Sequence, residues 1–215
     1  MDLSKILEKS GYQTFDFLDG QRKGSNSGKK YELSKLEEYD IEGKTCLDVG
    51  CNAGYFLFRL LAKNPKSLFG IDLGGNWIEV ANELNKEYFK SDRVEFVSGD
   101  FFSFHFPQKF DLILCISTFH YLVNQQQELV DKCFDLLNDQ GILLLEIEEY
   151  PVNNVAEVNH DPRPYDPAKL ELDYPNNLKI HEYMQGKFVI LDRYSSVEQG
   201  GSVYDRYFYK LRRMG

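Results

Sequence analysis

The segment DVGCNAGYF, Asp48 to Phe56, joins a short apolar run to a helical pattern and sets two glycines where the backbone must turn sharply. Lacking a Cβ, Gly50 and Gly54 permit left-handed dihedrals and let a ligand come close to the main chain. A dinucleotide fingerprint would carry its second glycine at position 52 and a third after two further residues. Asn52 and Gly54 break that register, which disfavours NAD. Asp72, at the end of the next apolar run in FGIDLGG, lies about twenty residues downstream, the spacing of an acid that holds a ribose diol. Asp100 in SGDFF closes the following run and is placed to accept from an adenine amino group, with Phe101 packing on the ring. Each acid alone reads equally well as a helix cap or turn former. Their joint placement at successive strand ends points to a nucleotide site. His120 follows the run FDLILCIS; its intrinsic pKa suits a general base acting on a hydroxyl, although it could equally cap a helix or bond a backbone carbonyl.

These residues need a frame that brings strand ends together. From Lys44 to Glu149, short apolar runs alternate with helical patterns, the signature of parallel βαβ units. The pattern predicts strands over 45–49, 67–72, 94–98, 110–117 and 141–149, with helices near 55–63, 76–88 and 125–137, the last ended by the turn 138–141. Right-handed crossovers put every strand's carboxyl end on one edge, where open sheets bind ligands. The runs KFVILDRY and SVYDRYFYKL flank EQGG and predict a C-terminal antiparallel hairpin. The expected fold is α/β: a Rossmann-like, doubly wound, mostly parallel seven-stranded sheet finished by that hairpin. A single domain, 1–215, is expected. It divides into an N-terminal helix and covering loop (1–43), a nucleotide-binding core (44–149), a substrate loop (150–185) and the hairpin (186–215). The stretch 20–30, rich in Gly, Ser and Lys, reads as a flexible loop.

Composition narrows the function classes. The chain is 42% hydrophobic and 27% charged, ordinary for a globular domain, and no stretch approaches the about 20 apolar residues of a membrane span. Lys5, Glu8 and Lys9 interrupt the first apolar stretch, which argues against a secretory signal and predicts a cytoplasmic protein. The four cysteines, Cys46, Cys51, Cys115 and Cys133, form no C-x-x-C pair, and neither they nor the four histidines show zinc-ligand spacing. No divalent-metal triad is visible, so transfer without a metal is expected. A formal net charge of -9 disfavours a broad phosphate-tracking surface and so makes nucleic acid an improbable partner.

The ordered motifs DVGCNAGYF, the acid of GID, GDFF and FDLILCISTFHYL resemble those of class I S-adenosylmethionine (SAM)-dependent methyltransferases, over about Tyr12 to Glu149. Within that class the chain is most similar to the methyltransferase domain of the bifunctional kinase-methyltransferases that terminate polymannose O-antigen chains. The tRNA wobble-uridine methyl and carboxymethyl transferases are more distant. The hallmarks are Tyr12-Gln13-Thr14, Lys30 before YEL, the glycine turn, SxFH from Ser117 to His120, and a Glu-rich run after the fifth strand. The resemblance implies SAM as cofactor and S-adenosylhomocysteine as product. It further implies a cofactor set of Tyr12, Gln13 and Lys30 over the methionine end, Asp48, Gly50, Cys51, Asn52 and Gly54 in the turn, Asp72 with Leu73 at the ribose, Asp100 with Phe101 at the adenine, and Ile116 or Ser117 beside the sulfonium. The glycan-terminating relatives carry arginine at the position of Lys30, so a bidentate grip on a carboxylate becomes a point-charge contact, and Arg22 competes for the role.

On the acceptor side, His120 is the expected base for a hydroxyl nucleophile and only an orienting group for a phosphate. Tyr121 is a pocket wall or a core aromatic. The segment 151–167 holds four prolines in seventeen residues and reads as a loop of the kind that forms lids. Within it, Arg163 could clamp an anion beside Tyr165. Glu146, Glu148 and Glu149 could hold a cationic or polyhydroxylated substrate, but such a run more often reads as a solvated strand end. The leading expectation is O-methylation of a sugar, glycan, sugar-phosphate or small hydroxylated or phosphorylated metabolite. The alternatives are a tRNA wobble-uridine modifier and, from another class, a non-catalytic nucleotide-binding module or an NAD-dependent dehydrogenase.

Overall fold

The computed structural model describes residues 3–9, 13–18, 27–122, 124–149, 177–196 and 205–215. Among them seven strands make one sheet: β1 (Thr45–Val49), β2 (Ser67–Asp72), β3 (Val94–Ser98), β4 (Phe110–Cys115), β5 (Leu137–Glu149), β6 (Phe188–Ser195) and β7 (Asp205–Arg213). The spatial order is β3-β2-β1-β4-β5-β7-β6. Strands β1 to β5 are parallel, and β7 lies antiparallel between β5 and β6. The order reverses between β1 and β4, the switch point at which open sheets of this kind hold ligands. The helices are α1 (Leu3–Lys9), α2 (Ser27–Leu33), α3 (Tyr55–Leu61), α4 (Gly75–Leu84), α5 (Gln126–Leu136) and α6 (Asn177–Met184), and α4 continues into a π-helical turn over Asn85–Phe89.

Every residue of β1 is buried, as expected for a parallel strand covered on both faces. Alternation divides its side chains between two cores. Cys46 joins Leu112, Leu114 and Phe208 beneath α3 and α4, whereas Leu47 and Val49 join Ile71, Ile113 and Leu145 beneath α5. Strand β7 is sandwiched in the same way, with Phe208 in the first core and Tyr209 and Leu211 in the second.

Three boundaries differ from the sequence expectation. Strand β4 stops at Cys115 instead of 117, because Ser117 turns the chain with a φ of 55°. The expected turn at 138–141 is a bulge inside β5: Leu137 pairs with Phe110, the register shifts, and Ile142 then pairs with Leu112. Gln140 takes up the extra length at a φ of 63°. The third difference lies in the expected loop 20–30, whose last residues open α2. Buried Tyr31 anchors that helix, and Gly28 packs so tightly on Asp16 that an added Cβ would lie 2.0 Å from its carboxylate. Tertiary contact therefore overrides the Gly/Ser/Lys composition there. No helix among the described residues is long and apolar enough to cross a membrane.

Candidate active site

The glycine turn sits at the carboxyl end of β1. Gly50 has a φ of 76°, and a Cβ on it would lie 2.2 Å from Thr118 Oγ1, so both dihedral and space require glycine. Gly54, with a φ of 86°, packs instead against the Phe96 ring, where a Cβ would meet carbon at 2.5 Å. One glycine faces the cavity and the other seats α3 on the sheet. Asn52 occupies the left-handed region between them and accepts from the Ala53 N–H at 2.8 Å, a local bond that asparagine can offer. Gln13 clamps the turn from outside: its amide donates to the Cys51 carbonyl at 3.3 Å and accepts from the Tyr55 N–H at 3.1 Å.

Below the turn, Asp48 is buried, and its Oδ2 has no hydrogen-bond partner among the described residues. Burial, reinforced by the Asp72 carboxylate nearby, pushes the Asp48 pKa up to about 8. Burial likewise pushes the Cys51 thiol well up, which makes it an inert packing group. Asp48, Cys51 and Gly54 support the turn from behind the cavity wall.

Asp72 ends β2 and is half-buried. Its Oδ2 accepts from the Asn52 N–H at 2.9 Å and its Oδ1 from the Gly74 N–H at 2.7 Å. Each carboxylate oxygen has about two acceptor sites, so one on each oxygen is left for a diol. Asp100 both lines the cavity and shapes its own turn, accepting from the N–H groups of Phe102 at 3.2 Å and Ser103 at 3.1 Å. The Ser103 side chain and the Phe102 N–H hold its carboxyl below the usual carboxylate range. The Phe101 to Phe104 turn is fastened from outside by Lys132, whose ammonium donates to the Phe102 and Phe104 carbonyls at 2.7 and 2.9 Å.

The opposite wall is built by β4, β5 and β7, and here the expectation of a solvated glutamate run fails for Glu146 and Glu148, whereas the Glu149 side chain lies outside the described residues. Glu146 and Glu148 are 2% and 4% exposed. They share the face of β5 that Leu144 occupies, at the point where that face leaves the core. Glu146 forms an ion pair with Lys30, accepts from Ser196 Oγ at 2.6 Å, and accepts from both the N–H and the hydroxyl of Ser117 at 2.8 and 2.9 Å. Burial raises its pKa, but the Lys30 ammonium and these donors outweigh it and leave the carboxyl below its usual range. Glu148 forms an ion pair with Arg206, the residue opposite it in the β5–β7 ladder, and its Oε1 lies 3.9 Å from His120 Nδ1. The ammonium of Lys30 thus joins α2 to β5.

These walls enclose a cavity of about 720 Å³. Of the residues expected from sequence, Gln13, Lys30, Gly50, Asn52, Asp72, Leu73, Asp100, Phe101, Ile116, Ser117 and Tyr121 line it. His120 stands just behind that lining with its ring 4.1 Å from the Tyr121 ring. Tyr12, Arg163 and Tyr165 lie outside the described residues. The structure adds Phe56, Trp77, Thr118 and Arg206, which sequence reasoning passed over. Trp77 had a signal: it is the chain's one tryptophan and follows Asp72 by five residues. Thr118 and Arg206 had none, because their places depend on how β4 turns and β7 pairs.

A volume of this size, with an acid at the end of β2, a turn at β1 and an aromatic rim, fits an adenosyl group with space beside it. The sequence family described as methyltransferase domain matches residues 40–190. The chain belongs to that family. Its fold agrees. The N-methyltransferase NodS of Bradyrhizobium japonicum WM9, solved with S-adenosylhomocysteine, superimposes with a TM-score of 0.66 over 97% of this chain and 96% of that one, at 17% identity. The SAM-bound magnesium protoporphyrin IX methyltransferase of Synechocystis PCC 6803 gives 0.64 over 90% and 86%, at 14% identity. Among curated proteins, a tRNA U34 carboxymethyltransferase of Sulfurovum sp. is 31% identical over 134 residues, 62% of this chain and 43% of that protein. A carboxy-S-adenosyl-L-methionine synthase of Wolinella succinogenes is 35% identical over 108 residues, 48% and 43% of the two chains. The chain spans less than half the length of these curated relatives. The family makes it a methyltransferase domain, and its fold is that of proteins solved with S-adenosylhomocysteine and SAM. The sequence-level case against a nucleic-acid partner finds no support in relatives whose names specify tRNA.

Proposed function

We propose that this methyltransferase domain alkylates a hydroxyl of a nucleoside acceptor of the tRNA wobble-uridine kind, with SAM as the donor. The supporting observation is the alignment with tRNA U34 carboxymethyltransferases, at 31% identity in Sulfurovum and 30% over 123 residues in Helicobacter pylori J99. The site is compatible with a planar acceptor, since Tyr121 is 72% exposed at the cavity rim and offers a free face on which a base can stack. A cytoplasmic location fits that acceptor.

In this reading Asp72 takes the ribose hydroxyls, Asp100 with Phe101, Leu73 and Trp77 frames the adenine, and Gly50 with Gln13 holds the methionine end. The bound cofactor supplies an electrophilic methyl on a sulfonium. The chain's residues supply alignment of an acceptor oxygen with that methyl, and in this reading His120 takes the hydroxyl proton. Lys30, already paired with Glu146, acts by holding α2 over the cavity.

A second reading, O-methylation of a sugar, glycan or sugar phosphate, is favoured by the net charge of -9, which repels a polyanion. Incubating the full chain with methyl-labelled SAM, in parallel with total tRNA and with a panel of sugar phosphates and nucleotide sugars, separates the two. The expected result is salt-sensitive incorporation into tRNA. Label in sugars and none in tRNA transfers the conclusion to the second reading, and calorimetric binding of NAD without SAM removes both.

A further inference from the structure

Glu148 is almost wholly buried at the edge of the cavity, and the role proposed above leaves it unassigned. Its Oε1 meets Arg206 on one side and faces His120 Nδ1 at 3.9 Å on the other, while its Oε2 is buried with no hydrogen-bond partner among the described residues. A buried acceptor left without a donor is costly, and buried charges are kept in folds only where a partner or a function holds them. Across from Arg206, the carboxylate faces the His120 imidazole, also mostly buried, whose ring lies 4.1 Å from the Tyr121 ring.

We propose that Glu148 is the positioning residue for His120: it holds the imidazole with its proton on Nδ1, leaves Nε2 as the proton acceptor, and stabilises the imidazolium once it forms. The proposal rests on the hydroxyl-acceptor reading. In the step, the acceptor oxygen bonds to the methyl carbon, the carbon–sulfur pair stays on sulfur to give the neutral thioether, and the hydroxyl proton passes to His120 Nε2. The single positive charge moves from sulfonium to imidazolium, beside a carboxylate already in place. A carboxylate behind an imidazole selects the tautomer and orients the ring. Glu148 on β5 faces the imidazole, and Arg206 on β7 is ion-paired with that carboxylate. Their pair is neutral overall until the imidazole is protonated.

The test compares wild type with Glu148→Gln and Glu148→Asp. Proton NMR titration of the His120 imidazole, with His120→Ala identifying its resonance, reads the pair without any turnover. Loss of the carboxylate lowers the pKa of His120 in Glu148→Gln, and Glu148→Asp retains most of the wild-type value. With whichever hydroxyl acceptor wild type alkylates, kcat of Glu148→Gln falls by about 100-fold, within the range of general-base contributions. The acidic limb of its pH profile moves to lower pH. Its SAM affinity by calorimetry stays within about twofold, which also reports that the variant is folded. An unchanged His120 titration in folded Glu148→Gln overturns the pairing. Wild type that alkylates no hydroxyl compound overturns the acceptor reading separately, since the titration stands without it. If Glu148→Gln does not fold, the same titration in Arg206→Gln decides: loss of the competing cation must raise the His120 pKa, and no change refutes the proposal.

Discussion

Asp48 gives the sharpest stability test in the molecule. Its folded pKa of about 8 lies far above the unfolded aspartate value of about 3.9, with burial as the main cause and Asp72 adding to it. The folded chain therefore keeps a proton that the unfolded chain has lost, and folding takes that proton up. Stability falls as pH rises through the interval between the two values and is flat above it. The slope is about 1.4 kcal/mol per pH unit, so roughly 4 kcal/mol accumulates between pH 5 and pH 8. Asp48→Asn keeps the shape and removes the charge. The variant should match wild type most closely near pH 5 and overtake it progressively, gaining about 4 kcal/mol by pH 8. At about 2 to 4 °C per kcal/mol for a domain of this size, the midpoint gap grows by roughly 10 °C. Urea and thermal unfolding of both proteins without cofactor, at half-unit steps from pH 5 to 8, measures this. Histidine titrations in the same interval cancel in the comparison. Parallel stability curves for the two proteins would falsify the argument, because they would mean that Asp48 is ionised in both folded and unfolded states across the range.

Asp72→Ala should weaken SAM binding by about 1.5 to 3 kcal/mol, on the order of ten- to a hundredfold by calorimetry, through loss of a charged acceptor. Unchanged affinity would show that the ribose is held elsewhere. Glu146→Gln strands Lys30 and weakens the bonds from Ser117 and Ser196, so denaturant midpoints should report a loss of about 3 kcal/mol at pH 7. The folded Glu146 carboxyl titrates below its unfolded value, so its contribution is complete above about pH 4.3 and disappears as pH falls through the lower folded value. A gap between wild type and variant that persists undiminished at the most acidic pH where both fold would contradict the pairing.

Much of the cavity wall at the ends of β1, β2 and β3 was legible from local pattern, and for a physical reason. The turn at Gly50, the acid at Asp72 and the acid at Asp100 each follow a short apolar run. A parallel sheet brings the ends of such runs to one edge whatever the surrounding detail. Pattern therefore fixed the strand order's consequences for β1, β2 and β3 before any contact was known, and Asn52 in place of a glycine already separated the turn from a dinucleotide site. Composition misled where local preference met tertiary contact: Ser27 and Gly28 read as loop yet open α2, and Asn138 to Gly141 read as a turn yet continue β5 as a bulge.

The opposite wall depended on the tertiary structure. Lys30 and Glu146 are 116 residues apart, and Arg206 and Glu148 are 58 apart. No local periodicity relates such pairs; the β5–β7 register and the docking of α2 do. Glu146 and Glu148, which read as part of a solvated strand end, became buried partners for two cations because the β5–β7 register sets Arg206 beside Glu148 and the docking of α2 brings Lys30 onto Glu146. Residue types in order determined which cofactor the edge of the sheet suits. The packing of the last strand decided what stands across the cavity from it, since charge pairing in a buried wall is a property of neighbours in space and leaves no period in the chain.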